Sequence, residues 1–598
     1  MQLRLSNFTS LVCSVCLAAP LAAQTPAGDQ SQVPVIKANA RTVVVDVVVT
    51  RGNDDPVPGL HQQDFQVLED GKPQAIDFFE EHEAKTLPND AIKPPLELPA
   101  NVYSNIPPAP QSDSVNVLLL DTLNTEKADQ PVVRDQIRTF LKGMDPGTRV
   151  AIFTLGSEFR FVQGFTSDAS LLLAALNNKK NGAETAKDPS FHSRSDEADD
   201  VEERRAMAAV AAMVGGNAGE MLVGGLQAAQ TEASSYGYAK RVSMTLDALE
   251  SIARYLAGVP GRKNLIWFAG SFPIAVFPTT SQQQQMAQIH GNLDRVKKTA
   301  NLLTTAKVAV YPVNGGGLSI NHPMEADNTE ASAFGGAPAQ NFAAEGGSRI
   351  DTIAAMEQLA TDTGGKAYYN TNDLHGAIQH AVADGSHFYT VAYTPANSHM
   401  DGKFRKIEVR LATGRYTLAY RHGYNADDTH PVEAKQQDDP LHPLLGRGMP
   451  AATELTYYVR VIPVSPQPAP SAARAGQNSK LTGPLTRYKA DFRISAADIA
   501  FKPANGGNRS GNIHAGMIAY DRDGNSVNWV GIVQNMDVNP AQFDAIQKNG
   551  VPVHMEIDLP DKDLYLETGV YDWNTGKAGT MEIPLHPASA APAAVTGR

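Results

Sequence analysis

The sequence has almost no cysteine. Of 598 residues only Cys13 and Cys16 carry a thiol. Both lie in an N-terminal apolar run, so the chain beyond it has no disulfide and no thiol nucleophile to draw on. Positive charge is also short. Lys and Arg number 51 against 64 Asp and Glu, a formal net charge of -13. No basic stripe offsets that balance, which argues against nucleic acid as a partner; the acidic excess reads as a solvated surface. A second long apolar run is missing, so no membrane span is expected in the mature chain. Signatures of catalysis are missing as well. The sequence contains no His-Glu-x-x-His, no Gly-x-Ser-x-Gly and no Gly-x-x-x-x-Gly-Lys-Ser/Thr, which removes the usual zinc-protease, nucleophile-elbow and phosphate-loop readings. His375 and His380 are five apart, the wrong spacing for a shared helical face. Asp521-Arg-Asp-Gly-Asn525 lacks the distal Glu of a calcium loop and reads as a hairpin turn.

What is present is ordinary globular material: 42% hydrophobic and 19% charged residues, enough for roughly three or four domains. Residues 1–23 read as a secretory signal peptide. Arg4 supplies its charge, Leu11 to Leu21 its apolar stretch, and Ala22-Ala23 its small residues before cleavage. The mature protein is therefore expected in the periplasm or outside the cell.

Pattern then divides the chain. Residues 35–85 carry short period-2 segments, led by Thr42-Val-Val-Val-Asp-Val-Val-Val-Thr50, and are expected to pair with 386–424 in one β-sandwich. Residues 86–112 are Pro-rich and read as a linker. From 113 to 385 apolar strands alternate with helical periodicity, which predicts a parallel sheet covered by helices. An insertion at 179–240 interrupts it, and residues 315–349 read as a Gly- and Ala-rich loop. A polar linker spans 425–450. Residues 451–586 hold seven short strands with turns between them, which predicts an immunoglobulin-like sandwich. Within it, 464–484 reads as a disordered insertion, and 587–598 reads as a disordered tail.

One segment carries most of the functional argument. In Ser114-Val-Asn-Val-Leu-Leu-Leu-Asp-Thr-Leu-Asn-Thr125 an apolar strand ends on an aspartate followed by small polar residues. In α/β sheets ligands bind beyond the carboxyl ends of strands. This piece has companions: Gly59-Leu-His-Gln-Gln-Asp-Phe-Gln-Val-Leu-Glu-Asp-Gly-Lys72, Gly261-Arg-Lys-Asn-Leu-Ile-Trp-Phe-Ala-Gly270, Thr363-Gly-Gly-Lys366, and Tyr389-Thr-Val-Ala-Tyr-Thr-Pro395 leading to Arg421-His-Gly-Tyr424. In that order they resemble von Willebrand factor type A (VWFA) domain proteins, more narrowly the secreted VWFA-related proteins typical of Acidobacteria. The likeness covers about residues 35–425.

The resemblance implies an α/β doubly wound parallel sheet, flanked by β-sandwich modules, with a metal-ion-dependent adhesion site at its top. Carried over by position, Asp121 and Thr125 fit the family's Asp-x-Ser-x-Ser motif, whereas Leu123 replaces a serine. Thr245 is the candidate for the family's separate threonine. The aspartate expected after the third strand is absent, and Ala269-Gly-Ser271 stands there. The implied metal ligands are thus Asp121, Thr125 and Thr245, with Asn124 and Ser271 as helpers. Magnesium wants six hard oxygens, commonly one or two of them carboxylates, so binding of Mg2+ or another divalent cation is expected to be weak. Without a metal, Asp121 caps the chain that follows it.

Three functions follow. The first is a secreted, non-enzymatic adhesion-type protein that binds a protein partner through the Asp121 loop. The second is a cell-envelope scaffold or assembly factor without metal dependence. The third is a hydrolase with an unrecognised site.

Overall fold

The computed structural model describes residues 42–586 apart from 53–54, 84–97, 108–113, 128, 178–212, 214–238, 273–294, 296–297, 316–352, 372, 398, 400, 413, 427–438, 465–468 and 471–474. The segment read as a signal peptide (1–23), the tail at 587–598, and most of the 179–240 insertion and of the 315–349 loop lie outside the described residues. Among the described residues no helix is long and apolar enough to cross a membrane.

Val43–Arg51 carries six valines among its nine residues and is buried along almost its whole length. It pairs antiparallel with His387–Tyr393, and its far end pairs with Thr417–Ala419. Ile76–Glu83 adds to the other side of His387–Tyr393. Facing these is a second antiparallel layer, in which Phe65–Glu69 lies between Phe404–Leu411 and Lys72–Gln74. Asp70 and Gly71 both take positive φ, 49° and 77°, as the tight hairpin between Phe65–Glu69 and Lys72–Gln74 requires. Val45, Val47, Val67, Tyr389, Val391 and Ile407 fill the space between the layers.

The next sheet runs Val308–Asn314, Arg262–Ala269, Ser114–Asp121, Val150–Leu155, Phe159–Thr166. Its first three pairings are parallel and the last is antiparallel. Strand alternation sends Val115, Val117 and Leu119 to one core with Leu246, Leu249 and Ile252 of the helix at 239–257. Leu118 and Leu120 go to the opposite core, with Ile137 of Gln130–Lys142 and Ile378 of Leu374–Ser386.

The last module packs two antiparallel sheets. One orders Val551–Pro560, Pro484–Ile494, Tyr457–Pro463 and Val102–Ser104. The other orders Ser526–Val538, Arg509–Tyr520, Leu564–Asp572 and Ala578–Leu585. The module rests against the 239–257 helix. Arg254 forms an ion pair with Glu454, and its Nη1 also donates to the Gly576 carbonyl at 2.9 Å. Gly258 donates its N–H to Thr453 Oγ1 at 2.8 Å. A Cβ on Gly258 would lie 2.8 Å from Thr453, so glycine is what permits this approach.

These facts correct the expected fold class. The described chain is mostly β-sheet and mostly antiparallel, not a doubly wound parallel α/β molecule with flanking sandwiches. Among the described residues, apart from one isolated bridge, parallel pairing is confined to three strand pairs in one mixed sheet. Phe159–Thr166, which the apolar pattern passed over, is the strand that makes that sheet mixed. Its residues are mostly half-buried rather than buried, so it lacks the apolar run that marks its neighbours. Two loop assignments change as well. Val102–Ser104, in the Pro-rich 86–112 stretch, is a strand of the last module. In the 464–484 stretch, Gln477 donates its N–H to the Trp529 carbonyl at 2.8 Å, and Asn478 Nδ2 donates to Val527 O at 2.7 Å.

Candidate functional site

Ser114–Asp121 is the middle strand of the mixed sheet, and Asp121 ends it. The chain then turns sharply, since the N–H groups of Thr122 and Leu123 both donate to Leu155 O at 2.8 and 3.0 Å. That turn drives Leu123 inward, where it is 1% exposed among the core residues of the 239–257 helix. A serine hydroxyl is absent there because the position belongs to the core.

The structure brings all five sequence-predicted residues into one cluster. Asp121 Oδ1 accepts from the Asn124 N–H at 2.9 Å. Asp121 Oδ2 accepts from Asn124 Nδ2 at 2.7 Å and from Trp267 Nε1 at 3.0 Å. Asn124 Nδ2 also donates to Thr245 Oγ1 at 3.0 Å, and that hydroxyl donates to Arg241 O at 2.8 Å. Thr125 Oγ1 donates to the Asp121 carbonyl and accepts from Gly270 N–H at 3.0 Å. The Ser271 N–H and Oγ both donate to Asn124 O, at 2.9 and 3.3 Å. Asp121 is 2% exposed, Thr125 3%, and Asn124 and Thr245 0%. Burial outweighs the hydrogen bonds and pushes the Asp121 carboxyl up from 3.8 to about 6.

This arrangement does not fit a divalent cation. Three N–H donors already point at the Asp121 carboxylate, and their positive ends occupy the positions a metal would take. Both threonine hydroxyls are engaged as donors and acceptors. The one oxygen in the cluster without a partner is Asn124 Oδ1, far short of six hard ligands. The residues expected as ligands, Asp121, Thr125 and Thr245 with Asn124 and Ser271 as helpers, do converge, and their polar groups are engaged with one another and with neighbouring backbone. Sequence reasoning missed Trp267, which read as core packing. It is indeed fully buried, yet its indole N–H takes the side of Asp121 that a cation would need. The signal for it lay in the missing second carboxylate, which removes the reason to keep that side open.

A second constellation has metal-ligand character. Strand period places Glu81 and Glu83 on one face, and register places His387 opposite Glu83. One ligand atom of each lies within 4.8 Å of the others. Glu81 Oε1 is already held by the Gly59 N–H at 2.7 Å and the Tyr389 hydroxyl at 3.0 Å, so the glutamate fastens the turn at Gly59. Asp521 accepts from the N–H groups of Asp523 and Asn525 at 3.0 and 2.9 Å, the geometry of a turn. Compared with known proteins, no family model matches this chain, and no curated protein matches it either.

Proposed function

We propose that this is an exported, non-enzymatic protein that acts as a scaffold or assembly factor of the cell envelope and binds its protein partner without a divalent cation. The observation that carries the reading is the closed Asp121 cluster. A loop whose carboxylate and hydroxyls are already engaged, and whose one unpartnered oxygen, Asn124 Oδ1, is buried, has little left to complete a metal's coordination with a partner's carboxylate. The signal-peptide pattern at 1–23 and the resemblance to secreted VWFA-related proteins support export. The adhesion-type reading keeps its binding role and loses its cation.

The edge strand Ser526–Val538 supports contact with an extended protein segment. It carries no charged residue before Asp537, although charges and prolines are the usual guards of a sheet edge. Ile532 and Val533 are 42% and 50% exposed. The Trp529 carbonyl already accepts from Gln477, and alternation turns the main-chain groups of Gly531, Val533 and Asn535 to that same side. A partner strand of matching uncharged character can add there.

The test is retention of envelope proteins by the immobilised full-length mature chain, with Mg2+ or with EDTA. The same partner is expected in both, and from Asp121→Asn as well, whereas Val533→Lys should lose it. Retention that needs Mg2+, and that a folded Asp121→Asn protein fails to show, would overturn the proposal.

A further inference from the structure

Far from the Asp121 loop, at the opposite end of the mixed sheet, a cleft opens where that sheet meets the first sandwich. The cleft is small and partly open to solvent, and its lining includes Asp46, Arg262, Lys307 and Arg421. Three cations thus face one carboxylate in a protein whose net charge is -13.

Each guanidinium keeps a buried N–H without a partner, although acids stand near: Asp46 and Asp384 favour the charged Arg262, and Asp46 also bears on Arg421. Arg262 is 2% exposed. Its Nη2 donates to the Tyr311 hydroxyl at 3.1 Å and to Gly364 O at 2.8 Å, but its Nε is buried without a partner. The Nε of Arg421 is likewise buried and unpartnered. Its guanidinium lies 5.9 Å from the Tyr424 ring centroid. Asp46, the one acid of the lining, already accepts from Thr390 Oγ1 at 2.8 Å. Behind the cleft Lys263 is 2% exposed and donates to Ala306 O at 2.7 Å. Burial, with repulsion from Lys307, brings its pKa down to about 7. Removing cations from water without a matching anion is costly. A guanidinium fork suits two oxygens of one anion.

We propose that this cleft binds a small oxyanion, held by Arg421 and Arg262 with Lys307 at its side, which staples the first sandwich to the mixed sheet. Its chemistry is shared by small carboxylates and by inorganic oxyanions such as phosphate. The site owes nothing to the partner-binding proposal, since it involves neither the Asp121 loop nor the edge strand.

Thermal unfolding of the full chain tests it, with chloride replaced by acetate or by phosphate at fixed ionic strength. A saturable rise in Tm with one of the two is expected, because a ligand that binds only the folded state stabilises it by mass action; the anion that produces the rise identifies the source. Arg421→Gln should weaken that response at least about tenfold, the loss of a charge-assisted hydrogen bond. Lys307→Gln should weaken it to a smaller degree, and it decides the matter should Arg421→Gln fail to fold by circular dichroism. No saturable rise with either anion, or an unchanged rise in the folded variants, would refute the site.

Discussion

Asp121 shows how little a residue's type says about its use. The same carboxylate at the end of a buried strand is a metal ligand when its neighbours offer oxygens and a clasp when they offer N–H groups. Here Asn124 and Trp267 offer N–H groups. Asp121→Asn keeps the shape but turns an amide N–H toward existing donors. It should cost about 2–4 kcal/mol in denaturant unfolding, as a loss of buried hydrogen bonds with partners left unpaired. The folded-state pKa of Asp121 lies above its ordinary 3.8, at about 6. The folded state therefore holds the proton longer, and this group's contribution falls as pH rises from about 4 to about 6 and is flat above that. The stability advantage of wild type over Asp121→Asn should shrink across that window and then stay constant. An advantage that grows with pH would show the carboxylate to be stabilised as an anion.

Glu567 is a stronger case of the same effect. It is 2% exposed and stands opposite Glu582 on the neighbouring strand. Burial, then the adjoining carboxylate, pushes it up from 4.5 to about 10, so it is a neutral acid at physiological pH. Its contribution is complete below about pH 4.5 and is lost progressively toward pH 10. Glu567→Gln should match wild type near pH 4.5 and become the more stable protein as pH rises. The gap should widen by no more than about 1.4 kcal/mol per pH unit. Parallel urea titrations at several pH values measure it, and a Gln variant less stable at pH 9 would contradict the assignment.

At the scale of elements, the helix at 239–257 is the joint between modules. It packs Leu246, Leu249 and Ile252 into the mixed sheet and presents Arg254 to Glu454. Both partners of that pair are largely buried, with side chains 10% exposed each. Arg254→Met should cost about 3–5 kcal/mol, because it leaves Glu454 buried and uncompensated. Arg254→Met with Glu454→Leu should recover most of that loss, and calorimetry of the four proteins gives the coupling. Additive losses would mean the pair contributes nothing as a pair. Elements of this kind were legible in the sequence where apolar content marked them. The apolar strand that ends on an aspartate is Ser114–Asp121, and the valine-rich Thr42–Thr50 segment is the strand Val43–Arg51. Those that escaped lacked the marking. Phe159–Thr166 is half-buried, Val102–Ser104 is three residues among prolines, and Pro540–Asn549 buries no residue at all.

At the scale of the molecule, the antiparallel sheets change the balance of the fold. A reading organised around one parallel platform gave the sandwiches a supporting part, whereas they make up most of the described structure. The proposed partner surface follows that shift, from the loop after Asp121 to the open edge of Ser526–Val538. The sequence by itself determined the near-absence of cysteine, the acidic balance of charge and the spans of the strongly apolar strands. Each of these rests on composition or on periodicity over a few residues. Only the tertiary structure decided which strands pair and whether Asp121 is free. Those outcomes depend on groups distant along the chain: Trp267 lies 146 residues from Asp121, and Thr245 lies 121 residues from Asn124. A hydrogen bond forms between whichever groups the packed core brings within about 3 Å, and no local pattern carries that distance.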